Sequence, residues 1–214
     1  MKIAGGLKED DIAIGNVFDK YGSRNPVVRY LMQGFSDSLS GFVGMAAPKT
    51  IHEVGCGEGY WTNQWNAMGI KARGSDFSSQ VIDMARANAQ TIGVPSDIFS
   101  VKSIYELKAP EDSADLIVCC EVMEHLEQPE AALETLKGIV TDHLIISVPR
   151  EPLWRAMNMA RGKYLTSLGN TEGHIQHWSK AGITGLVSRY FDVIEVRSPI
   201  PWTMMLCRAR STRG

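Results

Sequence analysis

The sequence predicts an α/β fold built on a doubly wound, mostly parallel sheet. Three observations carry that expectation. From Thr50 onward, apolar strand-like runs alternate with amphipathic helical ones. One of those strands, Thr50–Val54, runs straight into glycines at positions 55, 57 and 59. The last two strand-like runs lie too close together in sequence to be parallel neighbours.

Seven strands are expected: Thr50–Val54, Lys71–Ser75, Asp97–Val101, Asp115–Cys120, His143–Val148, Phe191–Val196 and Thr203–Arg208. Between them, Tyr60–Met68, Ser78–Thr91 and Pro129–Val140 carry helical periodicity. Ser78 or Ser79 is the expected N-cap of the second helix, which turns Val81, Ile82, Ala85 and Ala89 inward. Pro129 opens the third, with Ala132, Leu133, Leu136 and Ile139 on its apolar face. Only Arg197–Trp202 separates the final two strands. A parallel crossover needs a dozen or more residues, so if these strands pair they pair antiparallel. The expected sheet is therefore mostly parallel with an antiparallel last strand.

Residues 1–49 read as a helical N-terminal cap, with helical runs at Val17–Tyr21 and Val27–Phe42 broken at Asn25-Pro26 and no strand signal. Residues 50–214 form the ligand-binding domain, within which 150–178 is a covering insertion. Its Pro149–Tyr164 stretch suits an amphipathic helix, and Gly162, Gly169 and Gly173 suit a loop able to move. Both segments fall where they can cover the C-terminal strand ends, the place at which open α/β sheets bind ligands.

The composition is that of a water-soluble domain: 44% hydrophobic, 21% charged, with a formal net charge of −2. That charge provides no electrostatic footprint for sequence-independent nucleic-acid binding. Cys56, Cys119, Cys120 and Cys207 lack metal-type spacing and suit reduced thiols in the cytoplasm. Met1–Gly6 lacks the apolar core of a signal peptide, Lys8–Asp11 is charged, and no run suffices for a transmembrane helix. Arg208–Gly214 is expected to be a solvated basic tail.

The motif Glu53-Val54-Gly55-Cys56-Gly57-Glu58-Gly59 lets the chain turn sharply and exposes bare amides to a ligand. Asp76, at the end of the next strand, stands where a carboxylate can take both hydroxyls of a ribose. A dinucleotide fingerprint would place its third glycine three residues after Gly57, where this chain has Tyr60. A nucleoside without a pyrophosphate fits better.

These pieces, in order with Asp115–Leu126, resemble the class I S-adenosylmethionine-dependent methyltransferases, of the methyltransferase type 11 kind. The resemblance covers roughly Thr50–Pro149 and implies a Rossmann-like seven-stranded sheet with S-adenosyl-L-methionine as cofactor. By the resemblance, Gly55, Cys56 and Gly57 line the cofactor, Glu53 reaches its methionyl amino group, and Asp76 holds the ribose beside Phe77. Ser103 and Ile104 would contact the adenine, with serine in place of the acidic residue many relatives carry. Glu121 closes the cofactor set, and Arg24 or Arg29 of the cap would hold the cofactor carboxylate.

Glu121-Val122-Met123-Glu124-His125 places two carboxylates and an imidazole within five residues, and Gly173–Ser179 offers His174, or His177 as substitute. This pairing is similar to quinone-pathway O-methyltransferases and to small-RNA 3′-terminal 2′-O-methyltransferases. In both, Glu121, Glu124, His125 and His174 of this chain would hold a divalent metal such as Mg²⁺, Mn²⁺ or Zn²⁺. A metal there lowers the acceptor hydroxyl's pKa. Without one, His125 or His174 suits a general base. The expected activity is O-methylation of a small-molecule hydroxyl of phenol, catechol or quinol type. The alternatives are an RNA-terminal 2′-O-methyltransferase and a non-catalytic cofactor-binding protein of the same fold.

Overall fold

The computed structural model describes residues 1–9 and 12–210. Two short strands, β1 (Lys8–Glu9) and β2 (Ile12–Ala13), pair antiparallel near the N-terminus. Helix α1 (Pro26–Ala46) follows, then the alternating unit: β3 (Thr50–Val54), α2 (Tyr60–Ala67), β4 (Lys71–Asp76), α3 (Ser79–Thr91), β5 (Phe99–Val101), β6 (Ala114–Cys120), α4 (Pro129–Ile139) and β7 (Val140–Pro149). Helices α5 (Leu153–Ala160) and α6 (Lys180–Val187) precede the closing strands β8 (Phe191–Arg197) and β9 (Trp202–Ala209).

The sheet order is β5-β4-β3-β6-β7-β9-β8. All pairings from β5 through β7 are parallel, and β9 runs antiparallel between β7 and β8. The mostly parallel seven-stranded sheet with a reversed last strand is therefore as the spacing predicts. The chain steps outward from β3 to β5, then crosses back to β6 on the other side of β3. The crevice between β3 and β6 is thus the topological switch point, where such sheets bind ligands.

Strand alternation builds a separate core on each face. Ile117 and Cys119 of β6, Leu144, Ile146 and Val148 of β7, and Met205 and Cys207 of β9 pack with Ala132, Leu133, Leu136 and Ile139 of α4 and Ile183 of α6. Their neighbours Leu116, Val118, Ile145, Met204 and Leu206 face the other way, onto Phe35, Leu39 and Phe42 of α1 and Trp65 of α2. The N-terminal helix is therefore an integral layer of the domain core. The four cysteines are free thiols. No helix among the described residues is long and apolar enough to cross a membrane.

The N-terminal segment differs from expectation. Val17–Tyr21 forms bends rather than a helix, and the β1–β2 pair lies where no strand is expected. Local polar chemistry explains the first difference. The Asp19 carboxylate accepts from Gly22 N–H at 2.8 Å, a turn that competes with helix. Helix starts only at Asn25, whose Oδ1 accepts from Val27 N–H at 2.9 Å, with Pro26 in the first turn. The C-terminal basic segment is in part structured: Arg208 lies in β9, and Arg210 bonds Asp192 at 3.0 Å and the Arg189 carbonyl at 3.1 Å. Ser211–Gly214, like Asp10 and Asp11, lie outside the described residues.

Candidate active site

Each glycine of the turn after β3 has its own physical reason. All are left-handed, with φ of 74° at Gly55, 52° at Gly57 and 77° at Gly59. A Cβ at Gly55 would strike Val122 at 2.2 Å, and one at Gly59 would strike the Phe99 ring at 2.7 Å. At Gly57 nothing lies within 4 Å. Two of the glycines thus permit close packing, while Gly57 faces open space at the switch point.

Asp76 closes this turn from the end of β4. Its Oδ2 accepts from Gly57 N–H at 3.0 Å and its Oδ1 from Ser78 N–H at 3.1 Å, so both oxygens are oriented at the mouth of the crevice. Burial raises its pKa against those bonds. Phe77 beside it is 44% exposed, an apolar ring left without cover next to a ribose-type carboxylate. The Cys56 side chain is buried and packs against Gly74, where a Cβ would meet its Sγ at 2.8 Å.

Glu53 is buried at the end of β3. Thr62 in the first turn of α2 donates to its Oε2 from both N–H (2.9 Å) and hydroxyl (2.5 Å). Burial nonetheless pushes its carboxyl up to about 7. A cationic ligand would find a carboxylate that gains from being paired.

Beneath this turn, His52 is buried between β3 and the strands beside it. Its Nδ1 lies 2.8 Å from the Asp112 carbonyl and its Nε2 2.9 Å from Ser75 Oγ. A carbonyl only accepts, so Nδ1 carries the proton. The Ser75 carbonyl in turn accepts from both Gly55 and Cys56 N–H, at 2.8 and 3.0 Å.

On the other side of the crevice, Glu121 follows β6, with a φ of 59° that is unusual for a side chain with a Cβ. Its Oε1 accepts from Ser147 Oγ at 3.0 Å and its Oε2 from Trp202 Nε1 at 2.5 Å. Burial raises its carboxyl to about 7. A short 3₁₀ turn, Met123–His125, comes next. The Glu124 carbonyl accepts from Ile175 and Gln176 N–H at 2.9 and 3.0 Å, and this bond pair brings the 173–176 segment back across the crevice.

As a result Glu124, His125 and His174 each present one ligand atom, all within 4.8 Å of one another. The two imidazoles meet edge to face with centroids 4.9 Å apart. His125 Nδ1 is tied to the Gly173 carbonyl at 2.9 Å, which directs Nε2 outward. Burial lowers both histidines, His174 to about 3, so their imidazoles are neutral at physiological pH. Glu124 is raised by burial and by Glu121, and its Oε2 is buried with no hydrogen-bond partner.

Two expected metal ligands stand apart from this cluster. The Glu121 carboxylate is engaged by Ser147 and Trp202 instead, because β9 brings the indole over it. His177 is exposed, with Nε2 2.7 Å from Asn170 Oδ1. Among the adenine candidates, Ser103 caps a short 3₁₀ turn, accepting from Tyr105 N–H at 3.4 Å. Ile104 is buried in the α4-side core. Arg24 and Arg29 are exposed. Lys20 is the cap residue whose charge opposes the burial of Glu53, Glu121 and Glu124, and its Nζ lies 5.3 Å from the Tyr21 ring centroid.

Sequence reasoning missed an aromatic wall that joins the two halves of the crevice. Tyr60 stacks on Tyr21 with centroids 3.6 Å apart, and Tyr21 meets Trp61 at 5.9 Å. Phe35 touches Trp61 and Trp202, Trp202 touches Trp154, and Trp154 stacks on His174 at 5.6 Å. These residues come from six separate segments, so no periodicity joins them. The adjacent Tyr60-Trp61 pair, directly after the glycines, was the one local signal.

Residues 52–143 match the family model described as a methyltransferase domain. The chain carries a class I S-adenosylmethionine-dependent methyltransferase domain. Over 96 residues it is 31% identical to a ubiquinone biosynthesis O-methyltransferase of Paraburkholderia phytofirmans, a match covering 44% of this chain and 40% of that protein. The chain thus aligns with well under half the length of that relative.

Among solved structures, the fold is similar to magnesium protoporphyrin IX methyltransferase from Synechocystis PCC 6803 with bound SAH. The TM-score is 0.67 at 17% identity, covering 88% of this chain and 90% of that one. It is similar also to the PH0226 protein of Pyrococcus horikoshii OT3, with TM-score 0.70 at 15% identity over 91% and 97% of the two chains. At such identities these structures establish the shared fold.

Proposed function

We propose that this protein transfers a methyl group from S-adenosylmethionine to a hydroxyl of a small aromatic acceptor of phenol, catechol or quinol type. The observation that carries the reading is the Glu124–His125–His174 cluster, which lies across the switch-point crevice from the Glu53–Gly57–Asp76 turn. The similarity to proteins named ubiquinone biosynthesis O-methyltransferase supports an oxygen acceptor.

In this reading Gly57 admits the cofactor to bare backbone, Asp76 takes the ribose hydroxyls, and Glu53 pairs with the methionyl amino group. Lys20, from the cap, is the better candidate than Arg24 to offset negative charge at this end. Methyl transfer is an in-line displacement at a sulfonium, so orientation of donor and acceptor supplies most of the catalysis. The segments 1–49 and 150–178 provide Tyr21, Phe35 and Trp154 to exclude water and orient an aromatic ring.

The cluster fits a divalent cation. An orphaned buried carboxylate oxygen and two neutral imidazoles are a donor set that a metal satisfies. Glu124, His125 and His174 would hold it. When bound, it would lower the pKa of the acceptor hydroxyl. Equally, His125 Nε2, free of its ring partner's bond to Gly173, can accept the acceptor's proton.

Isothermal titration with Mg²⁺, Mn²⁺ and Zn²⁺ tests the cation. Binding by wild type that is lost in His174→Ala supports it, and no binding with or without S-adenosylhomocysteine rejects it. Isotope-labelled cofactor incubated with phenols, catechols, quinols and RNA oligonucleotides tests the acceptor. Transfer to RNA alone, or to none of these, overturns the small-acceptor reading. The net charge of −2 argues against RNA, whose phosphates a basic protein binds more tightly.

A further inference from the structure

The N-terminal arm closes a hydrogen-bonded ring around the residues that face the cofactor. On one side, Glu58, between Gly57 and Gly59, is buried and receives three bonds from the arm. Its Oε1 accepts from Ala4 N–H at 2.9 Å and Asn16 N–H at 2.7 Å, and its Oε2 from Asn16 Nδ2 at 2.5 Å. On the other side, Ser78 Oγ donates to Glu9, and Ser79 Oγ donates to it at 3.1 Å. Ser78 N–H and Gly57 N–H both donate to Asp76. The path Asn16–Glu58–Gly57–Asp76–Ser78–Glu9 therefore begins and ends in the arm.

Among the described residues, an ion pair between Lys8 and Glu172 also ties the arm to the 150–178 segment. The arm's buried apolar side chains, Ala4 and Ile14, rest on Val81 and Met84 of α3, and Lys2 exchanges two hydrogen bonds with Asn88. Among the arm's described side chains, buried apolar contact is confined to Ala4 and Ile14, the mark of a segment that opens at low cost. Gly15 is left-handed at φ 56°, and a Cβ there would strike Glu58 Oε1 at 2.6 Å, so the arm's path is shaped to this carboxylate.

We infer that the arm is a clasp on the cofactor site, with Asn16 and Glu9 as positioning residues that hold Gly57 and Asp76 in their binding geometry and close over bound S-adenosylmethionine. The inference rests on the reading of Asp76 and Gly57 as cofactor residues. The clasp and the ligand stabilise the same arrangement of Gly57, Asp76 and Ser78. By linkage, whatever factor the ligand adds to clasp closure the clasp adds to ligand affinity.

Hydrogen exchange on the full-length protein with and without S-adenosylhomocysteine tests this directly. The Ala4 and Asn16 amides are expected to slow about fivefold or more on binding. In stopped-flow measurements, Asn16→Ala and Glu9→Ala should speed S-adenosylhomocysteine dissociation by a similar factor, about fivefold, with association nearly unchanged. Glu9→Gln, which keeps an acceptor oxygen for Ser78, should recover part of the loss.

A purely structural arm would lower the melting temperature without moving the dissociation rate. Arm exchange indifferent to ligand in wild type overturns the clasp even if every variant misfolds. If wild type binds no S-adenosylhomocysteine at all, the cofactor reading itself falls and the clasp with it.

Discussion

The indole Nε1 of Trp202 donates to Glu121 Oε2 across 2.5 Å, joining the first residue of the reversed strand β9 to the residue that follows β6. The other carboxylate oxygen, Oε1, accepts from Ser147 Oγ at 3.0 Å. Replacing Trp202 with Phe keeps the ring and removes the donor. A buried carboxyl left short of a partner costs about 1–3 kcal/mol, so chemical denaturation of Trp202→Phe should show a loss of that order. Unchanged stability would mean Glu121 finds another donor.

Gly57 and Gly59 should separate binding from folding. Gly59→Ala drives a methyl into Phe99 and Ala85, so the loss should appear in thermal unfolding. Gly57→Ala meets open space and carries only the left-handed backbone cost of about 1–2 kcal/mol. Its effect should fall chiefly on affinity for S-adenosylhomocysteine, measured by calorimetry. Equal affinity loss in both variants at matched stability would refute the assignment of Gly57 to the cofactor face.

Asp76→Ala should weaken S-adenosylhomocysteine binding by roughly 10–100-fold, the worth of charge-assisted hydrogen bonds of about 1.5–3 kcal/mol. Adenine alone should bind wild type and variant alike, since it lacks the ribose.

Cofactor affinity should rise with pH. Glu53 has a folded-state pKa of about 7 against an ordinary value of 4.5, so it is largely protonated at pH 6 and ionised at pH 8. If the carboxylate pairs with the methionyl ammonium, Kd should fall about tenfold over that interval, and Glu53→Gln should flatten the profile. Stability of the free protein runs the other way. A raised acid contributes stability that is complete below pH 4.5 and lost as pH climbs through 7. Glu121, also held near 7, adds to the same slope. Denaturation at pH 6 and pH 8 without ligand checks the sign.

His52 works in the opposite direction. Its pKa is depressed to about 4 by burial, so its contribution is present above pH 6.5 and disappears as pH falls through 4. His52→Phe orphans Ser75 Oγ and the Asp112 carbonyl and should cost about 1–3 kcal/mol. Its stability should fall less steeply between pH 6.5 and pH 4 than that of wild type.

What the sequence made legible was local. Thr50–Gly59 contains its own strand and turn chemistry, Lys71–Asp76 its own strand, and the four residues between β8 and β9 force antiparallel pairing whatever surrounds them. The Glu124–His125–His174 grouping was legible because two of its members share one 3₁₀ turn. Glu121, two residues before that turn, instead bonds Trp202, a partner 81 residues away. Nothing near position 121 records that contact. Val17–Tyr21 carries helical periodicity, but Asp19 and Gly22 form a turn once their side chain and amide meet. Glu58 was passed over for the same reason: its bonds to Ala4 and Asn16 span 54 and 42 residues.

The aromatic wall has a spectroscopic consequence. Four of the five tryptophans sit in or against it: Trp61 lies 6.2 Å from Trp65, and Trp202 lies 6.1 Å from Trp154. Indoles this close exchange excitation and couple their transitions. Fluorescence from the protein is therefore dominated by the lining of one crevice, and an electron-poor molecule entering there would dim it without any label being attached.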